Sequence, residues 1–176
     1  MHPAFSVIFF TVVSGAGYAL ISLLSLFNFL NFGMLIDKNT FFIIAITSAV
    51  LFTMGLISST FHLANPKNAW RAFMRFKTSW LAREGLLAIL FYPILALYLY
   101  FIYIDMQINN FMLMQYYSFL IFTISTVIIY CTGMIYACLK TIPQWNTIWT
   151  PINYITIGFA LAALIFFFIL NLNGYD

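Results

Sequence analysis

Residues 152–172 read INYITIGFALAALIFFFILNL, a run of 21 residues without a charged side chain. A helix needs about 20 mostly apolar residues to cross the hydrocarbon core of a bilayer. The whole chain of 176 residues has the same character, with 64% hydrophobic residues, 6% charged residues and a mean hydropathy of +1.01. Backbone in lipid must satisfy its own hydrogen bonds, which favours helices. The predicted fold class is therefore an all-α integral membrane bundle.

Four more stretches are long and apolar enough to span a membrane. The five predicted spans are residues 5–30, 41–63, 84–103, 111–139 and 152–172. We interpret residues 1–176 as a single transmembrane domain, because no linker or repeat interrupts the pattern. The first span lacks the basic residues that precede the apolar run of a signal peptide, so we expect it to be retained.

Small residues in the first span predict a close contact. Ser14-Gly15-Ala16-Gly17 would let another backbone approach closely, either that of a neighbouring helix or a flat ligand. Of the two, helix packing is the interpretation favoured by the sequence.

Basic and aromatic residues collect on one side of the predicted bundle. With five spans, the ends of the second and fourth spans share a side. That side holds six of the seven basic residues: Lys67, Arg71, Arg75, Lys77, Arg83 and Lys140. The positive-inside rule places this side in the cytoplasm. Trp70, Trp80, Trp145 and Trp149 belong to it too. A net charge of +3 is too small and too local for nucleic-acid binding.

The second loop contains a predicted helix of its own. Asn65 followed by Pro66 is typical of a helix start. Trp70, Phe73, Met74 and Leu81 then fall on one face, and Lys67, Arg71 and Arg75 on another. We predict a short amphipathic helix lying in the membrane interface. Its basic face contacts anionic lipid headgroups, docks a peripheral subunit, or does both.

Two ionisable residues lie at predicted helix ends on the basic side. His62 ends the second span, and Glu84 opens the third. A histidine with an ordinary pKa near 6.5 and a partly buried carboxylate can together exchange protons at neutral pH. The alternative is that His62 is a helix-end residue and Glu84 pairs with Arg83 or Arg75. Cys131 and Cys138 form no CxxC motif, so we expect no iron–sulfur or zinc site. A bis-histidine haem would need both His2 and His62 facing each other, so we expect no haem on this chain either.

Three stretches carry a resemblance to a known family. They are FHLANPKNAWRAF at 61–73, SWLARE at 79–84 and YACLKTIPQWNTIWTP at 136–151. These resemble the dimethyl sulfoxide reductase anchor-subunit family, and the opening MHPAFSVIFFTVVSGAGY is similar to its branch with a short N-terminus. Anchors of that family usually have about eight spans. We therefore expect this chain to be a short form or a truncated one.

The resemblance implies a bacterial inner-membrane subunit of a three-part respiratory enzyme. The partners would be a molybdopterin catalytic subunit and an iron–sulfur subunit, and the anchor would bind menaquinone or ubiquinone. The family's site histidine corresponds to His62, because the HLxxP context matches. Glu84 would take or pass on the proton, and Trp80, Trp145 and Trp149 would wall the quinone head group. Lys67, Arg71 and Arg75 would dock the partner.

Two other functions remain open from the sequence. A small transporter would need polar residues lining a path through several spans. The few candidates are Thr11, Ser14, Thr53, Thr123, Ser125 and Thr126, which we expect to bond to their own helix backbones. A purely structural anchor would keep the basic loop but give His62 no role.

Overall fold

A computed structural model describes residues 5–60, 74–104 and 110–175, with only the backbone described at Gly33 and Met34. The described part contains five long helices and no strand. They are α1 (Phe5–Phe29), α2 (Lys38–Thr60), α3 (Trp80–Tyr103), α4 (Phe111–Ala137) and α5 (Trp149–Leu172), with a 3-10 turn at Phe32–Leu35. All five are long and apolar enough to cross a membrane. The prediction of an all-α bundle of five transmembrane helices is confirmed.

The third helix begins four residues before the predicted span, which starts at residue 84. Helix α3 begins at Trp80 because Ser79 caps it, its side-chain oxygen accepting a hydrogen bond from the Ala82 amide at 3.4 Å. Glu84 therefore lies inside the helix instead of opening it. Leu81 belongs to α3 too, so it is not part of a separate loop helix. The remainder of that predicted helix, up to residue 73, lies outside the described residues.

Helix α1 lies at the centre of the bundle and contacts α2, α4 and α5. Glycines bring α1 and α2 together. A Cβ added at Gly17 would lie 2.6 Å from the Phe52 backbone nitrogen, and one added at Gly55 would lie 2.6 Å from the Ser14 Cβ. The predicted role of the small residues in helix packing is confirmed, because no larger side chain fits at this crossing.

Helix α3 joins the core through side chains. Asn28 of α1 donates hydrogen bonds to the Tyr98 hydroxyl at 2.9 Å and to the Ser118 hydroxyl at 3.0 Å. These three buried residues connect α1, α3 and α4 in the half of the bundle farther from the basic side. Buried polar groups in lipid need such partners, so this triad fixes how the three helices face one another.

Most hydroxyls proposed as a transporter path are bonded within their own helices. Thr11, Ser14, Thr123 and Ser125 donate to backbone carbonyls three or four residues earlier. Thr53 and Thr126 differ from the prediction, because they bond across helices to Tyr92 at 2.8 Å and Ser22 at 3.0 Å. None of these contacts requires a transport path.

A second helix cap lies at the end of the bundle opposite the basic loops, where it connects the start of α2 to the segment after α5. Asp37 caps α2, its carboxylate accepting a hydrogen bond from the Thr40 amide at 3.1 Å. The Tyr175 hydroxyl donates to the same carboxylate at 2.6 Å. These hydrogen bonds from Thr40 and Tyr175 lower the pKa of Asp37 to about 2. The cap therefore stays ionised over the physiological pH range, and it ties the segment after α5 to the start of α2.

Candidate functional site

Glu84 is a buried acid near the basic side of the bundle. It is only 4% exposed and accepts a hydrogen bond from the Thr132 hydroxyl of α4. Arg83 points elsewhere: it donates to the carbonyls of Phe76 at 3.0 Å and Lys77 at 2.7 Å. The alternative in which Glu84 pairs with Arg83 is therefore wrong. Among the described residues, Glu84 forms no ion pair.

The hydrogen bonds around Thr132 suit an acid that carries a proton. The Thr132 hydroxyl faces two acceptors, the Glu84 carboxyl group and the Ile128 carbonyl at 3.1 Å. A hydroxyl has a single proton to donate, so both contacts are satisfied when Glu84 brings a proton of its own. A carboxylate buried in an apolar bundle without a cation is also costly. Glu84 is thus placed to hold one exchangeable proton.

Three tyrosines, Tyr18, Tyr136 and Tyr154, lie within the range of an electrostatic interaction with this acid. The buried hydroxyl of Tyr18 has no hydrogen-bond partner among the described residues, although its ring stacks on Phe52 with centroids 4.7 Å apart. Buried polar atoms are rarely left unpaired. The Tyr18 hydroxyl is therefore a polar group inside an apolar core, without a partner in the described part of the chain.

A cleft of about 480 Å³ opens beside Tyr136 and Tyr154. We call it the α1–α5 cleft, because α1 and α5 form its long walls; the end of α4 and the following loop close its top. Residues lining it include Thr11, Gly15, Gly133, Tyr136, Trp145 and Tyr154. Gly133 directly follows Thr132 in α4. The Glu84–Thr132 pair is therefore adjacent to the wall of the cleft.

The predicted aromatic residues occupy different places. Trp145 lines the α1–α5 cleft, and its ring lies against Tyr136 with centroids 5.5 Å apart. Trp80 packs against Tyr130 at 5.7 Å, and the Arg83 guanidinium lies 4.2 Å from the centre of its ring. Trp149 is 64% exposed at the start of α5. The structure therefore brings Trp145, but not Trp80, to the cleft.

Several predicted site residues lie outside the described residues. They are His62, Lys67 and Arg71. Arg75, Lys77 and Lys140 are exposed at the end of the bundle that also holds the cleft. Cys131 is buried and Cys138 is exposed, and neither forms a disulfide. In the described ranges, no group of three or more His, Cys, Asp or Glu residues could hold a metal ion.

The sequence did not single out Thr132, Gln144, Asn153 or Tyr154. Thr132 carries a weak signal, since it is a hydroxyl next to a glycine within an apolar span. Tyr154 gives no signal, because an aromatic residue near a helix start is ordinary in a membrane protein. Its hydroxyl donates to the Thr11 carbonyl at 2.7 Å, a contact that only the packing of α5 on α1 creates.

The five membrane-spanning helices make this chain a multi-pass membrane protein. It belongs to the family of the DMSO reductase anchor subunit (DmsC), whose profile matches residues 1–176. Family members are membrane anchor subunits of molybdopterin oxidoreductase complexes. The resemblance found in the sequence is confirmed.

The similarity to a curated relative supports this family assignment. The chain is 30% identical over 175 residues to a sulfite dehydrogenase subunit from Allochromatium vinosum, in an alignment that covers 91% of this chain and 53% of that protein. The chain therefore spans about half the length of that relative. No solved structure matches the chain.

Proposed function

We propose that this chain holds a molybdopterin oxidoreductase complex at the bacterial inner membrane and exchanges electrons between the quinone pool and an iron–sulfur partner subunit. Glu84 is the observation that carries the proposal. It is a buried carboxyl group without an ion-pair partner in the described chain, at the basic end of a membrane bundle. An ionisable residue at membrane depth is costly and tends to mark function.

The redox chemistry divides between this chain and its partners. Oxidation of a quinol to a quinone releases two electrons and two protons. The electrons would pass to an iron–sulfur cluster held by the partner subunit, and reduction of a quinone would run in the opposite direction. Menaquinone and ubiquinone both fit this role. A neutral imidazole both donates and accepts hydrogen bonds, so His62 is suited to a quinone oxygen. Glu84 and His62 together would accept the two protons.

The basic end of the bundle is the proposed docking surface for the iron–sulfur subunit. Arg75 and Lys77 are exposed there, and Lys67 and Arg71 are close to them in sequence. By the positive-inside rule this end faces the cytoplasm. The iron–sulfur subunit would carry the molybdopterin catalytic subunit with it. Anionic lipid headgroups would occupy whatever part of the surface the partner leaves uncovered.

Reversing the charge of two basic residues tests the docking surface. We expect Arg71→Glu combined with Arg75→Glu to release the peripheral subunits at high salt, while insertion of this chain continues. Exposed ion pairs contribute about 1 kcal/mol or less each, so both positions must change together. Lys38→Glu, at the opposite end of the bundle, is the matched control. Co-purification of the partners with the double variant, equal to that of wild type, would show that the surface contacts lipid alone.

Replacing His62 separates a quinone-linked anchor from a purely structural one. In the assembled complex, we expect His62→Ala to lower quinol-linked turnover at least about tenfold, as expected for the loss of a hydrogen bond to a reacting oxygen. Turnover with a soluble dye that feeds the catalytic subunit directly should persist. His2→Ala controls for the loss of a histidine. Unchanged quinol-linked turnover would support the structural anchor.

A further inference from the structure

The α1–α5 cleft is suited to an amphipathic ligand. It extends along α5 from Thr150 to Leu161, which corresponds to about 16 Å of helix. Its outer end, near the membrane interface, is lined by Gln144, Trp145 and Asn153, and its inner end by apolar residues that include Ile157. Its volume of about 480 Å³ lies within the range of about 300–1,000 Å³ typical of small-molecule sites.

Several hydrogen-bond donors at the outer end of the cleft have no partner among the described residues. The side-chain amides of Gln144 and Asn153 make no hydrogen bond to any described residue, and neither does the Tyr136 hydroxyl or the Trp145 indole nitrogen. By contrast, Tyr154 is engaged with the Thr11 carbonyl at 2.7 Å. A ligand with carbonyl oxygens at its polar end would therefore find several donors among the residues that line this cleft.

Part of the cleft wall is flat and is suited to a ligand with a planar ring. Gly133 and Gly158 present backbone without a side chain, and Tyr136 and Trp145 present aromatic surface. A Cβ at Gly133 would lie 2.7 Å from the Pro151 Cα, so this position also holds α4 close to the start of α5. Planar rings pack well between aromatic side chains and glycine backbone.

The absence of charge in the described lining of the cleft favours a neutral membrane ligand over a phospholipid. A phospholipid has a similar polar-to-apolar gradient, but its phosphate would need a cationic partner. None of the described lining residues carries a charge. A neutral head group with ring carbonyls matches the amide and hydroxyl donors without leaving an unpaired charge.

We infer that the α1–α5 cleft receives the head group of a quinone, with its carbonyl oxygens near Gln144 and Asn153 and its isoprenoid tail directed past Ile157 into the bilayer. The inference rests on the proposed function and places the bound ring beside α4, adjacent to the Glu84–Thr132 pair. It assigns binding roles to Gln144, Asn153 and Tyr136, beside Trp145, whose role in a quinone site the sequence already predicted.

Photolabelling of the assembled complex in lipid nanodiscs with an azido-substituted benzoquinone tests this inference. Peptide mass spectrometry should find the label on residues 5–15 or 144–161. Ile157→Trp, which fills the cleft, should reduce this labelling at least tenfold. The matched control is Leu164→Trp, two turns further along α5 at a position that is 69% exposed and does not line the cleft. The Leu164→Trp variant should be labelled to the same extent as the wild-type chain.

A double substitution separates head-group recognition from simple occupation by an apolar chain. Gln144→Leu with Asn153→Leu removes two donors but leaves the cleft open. We expect about a tenfold loss of labelling, since two hydrogen bonds are lost. Labelling that survives the double substitution would show that the cleft takes an apolar chain only and would overturn the inference. So would labelling confined to the ends of α2 and α3.

Quinol-linked turnover of the complex separates failure of this inference from failure of the proposed function. We expect both Glu84→Gln and Ile157→Trp to lower it. If Glu84→Gln lowers turnover and Ile157→Trp does not, the quinone site lies outside the cleft while the proposed function stands. If neither variant lowers turnover, the proposed function is also wrong.

Discussion

Glu84→Gln is expected to lower quinol-linked turnover of the assembled complex at least about 100-fold, as found when a general acid or base is removed. Glutamine keeps the size of the side chain and an oxygen that can accept from Thr132. It cannot exchange a proton, so the loss would report on proton transfer. Dye-linked turnover of the catalytic subunit should be unchanged, because that assay bypasses this chain.

A pair of threonines in α4 supplies the control for this experiment. Thr132→Val removes the hydroxyl that contacts Glu84 and should lower quinol-linked turnover, with a changed pH profile. Thr126→Val removes a comparable hydroxyl, which bonds to Ser22 at 3.0 Å, and should leave turnover unchanged. Equal effects of the two substitutions would mean that both residues act through helix packing. Wild-type turnover in Glu84→Gln would exclude the acid from the mechanism.

Gly17→Ala is expected to destabilise the bundle by about 1–3 kcal/mol, the usual cost of overpacking a close contact. The added Cβ would lie 2.6 Å from the Phe52 backbone nitrogen, and backbone cannot move aside as a flexible side chain can. The helices α1 and α2 must then separate along their whole crossing. Thermal unfolding in detergent, followed by circular dichroism, measures the change.

Gly158→Ala is the matched control for Gly17→Ala. The nearest atom to an added Cβ is the Gly15 carbonyl oxygen at 3.5 Å, which is an ordinary contact. Alanine also has a higher helix propensity than glycine by about 1 kcal/mol, so this variant should be as stable as wild type or more stable. Equal destabilisation of both variants would contradict the packing account of the Ser14–Gly17 segment.

The membrane fold was predictable because hydropathy is a property of each span by itself. The five spans and the use of Gly17 in packing followed from composition and from a short run of small residues. The start of α3 at Trp80 was not apparent in the sequence, because Ser79 and Trp80 are also common in loops at the membrane interface; the Ser79 cap is visible only in the structure. Because α3 begins one turn before Glu84, this residue lies inside the helix and is buried, whereas the sequence had placed it at the helix end.

The site was only partly predictable, since contacts between distant helices leave little trace in one sequence. Glu84 was recognised because an acid in an apolar chain is conspicuous. Its partner Thr132 lies 48 residues away, and the Tyr154–Thr11 contact joins residues 143 apart. Trp80 and Trp145 looked equivalent in sequence, but only Trp145 reaches the cleft. The roles of His62, Glu84, Trp80 and Trp145 in quinone binding stay predictions.

Redox exchange between the quinone pool and the partner's iron–sulfur clusters tests the central claim most directly. Electron paramagnetic resonance of membranes would follow the clusters after addition of menadiol and then menadione, with and without this chain. We predict that the clusters change redox state only when the chain is present, and that Glu84→Gln abolishes the change while dithionite still reduces them. Clusters that respond equally without the chain, or that never respond with it, would contradict the account.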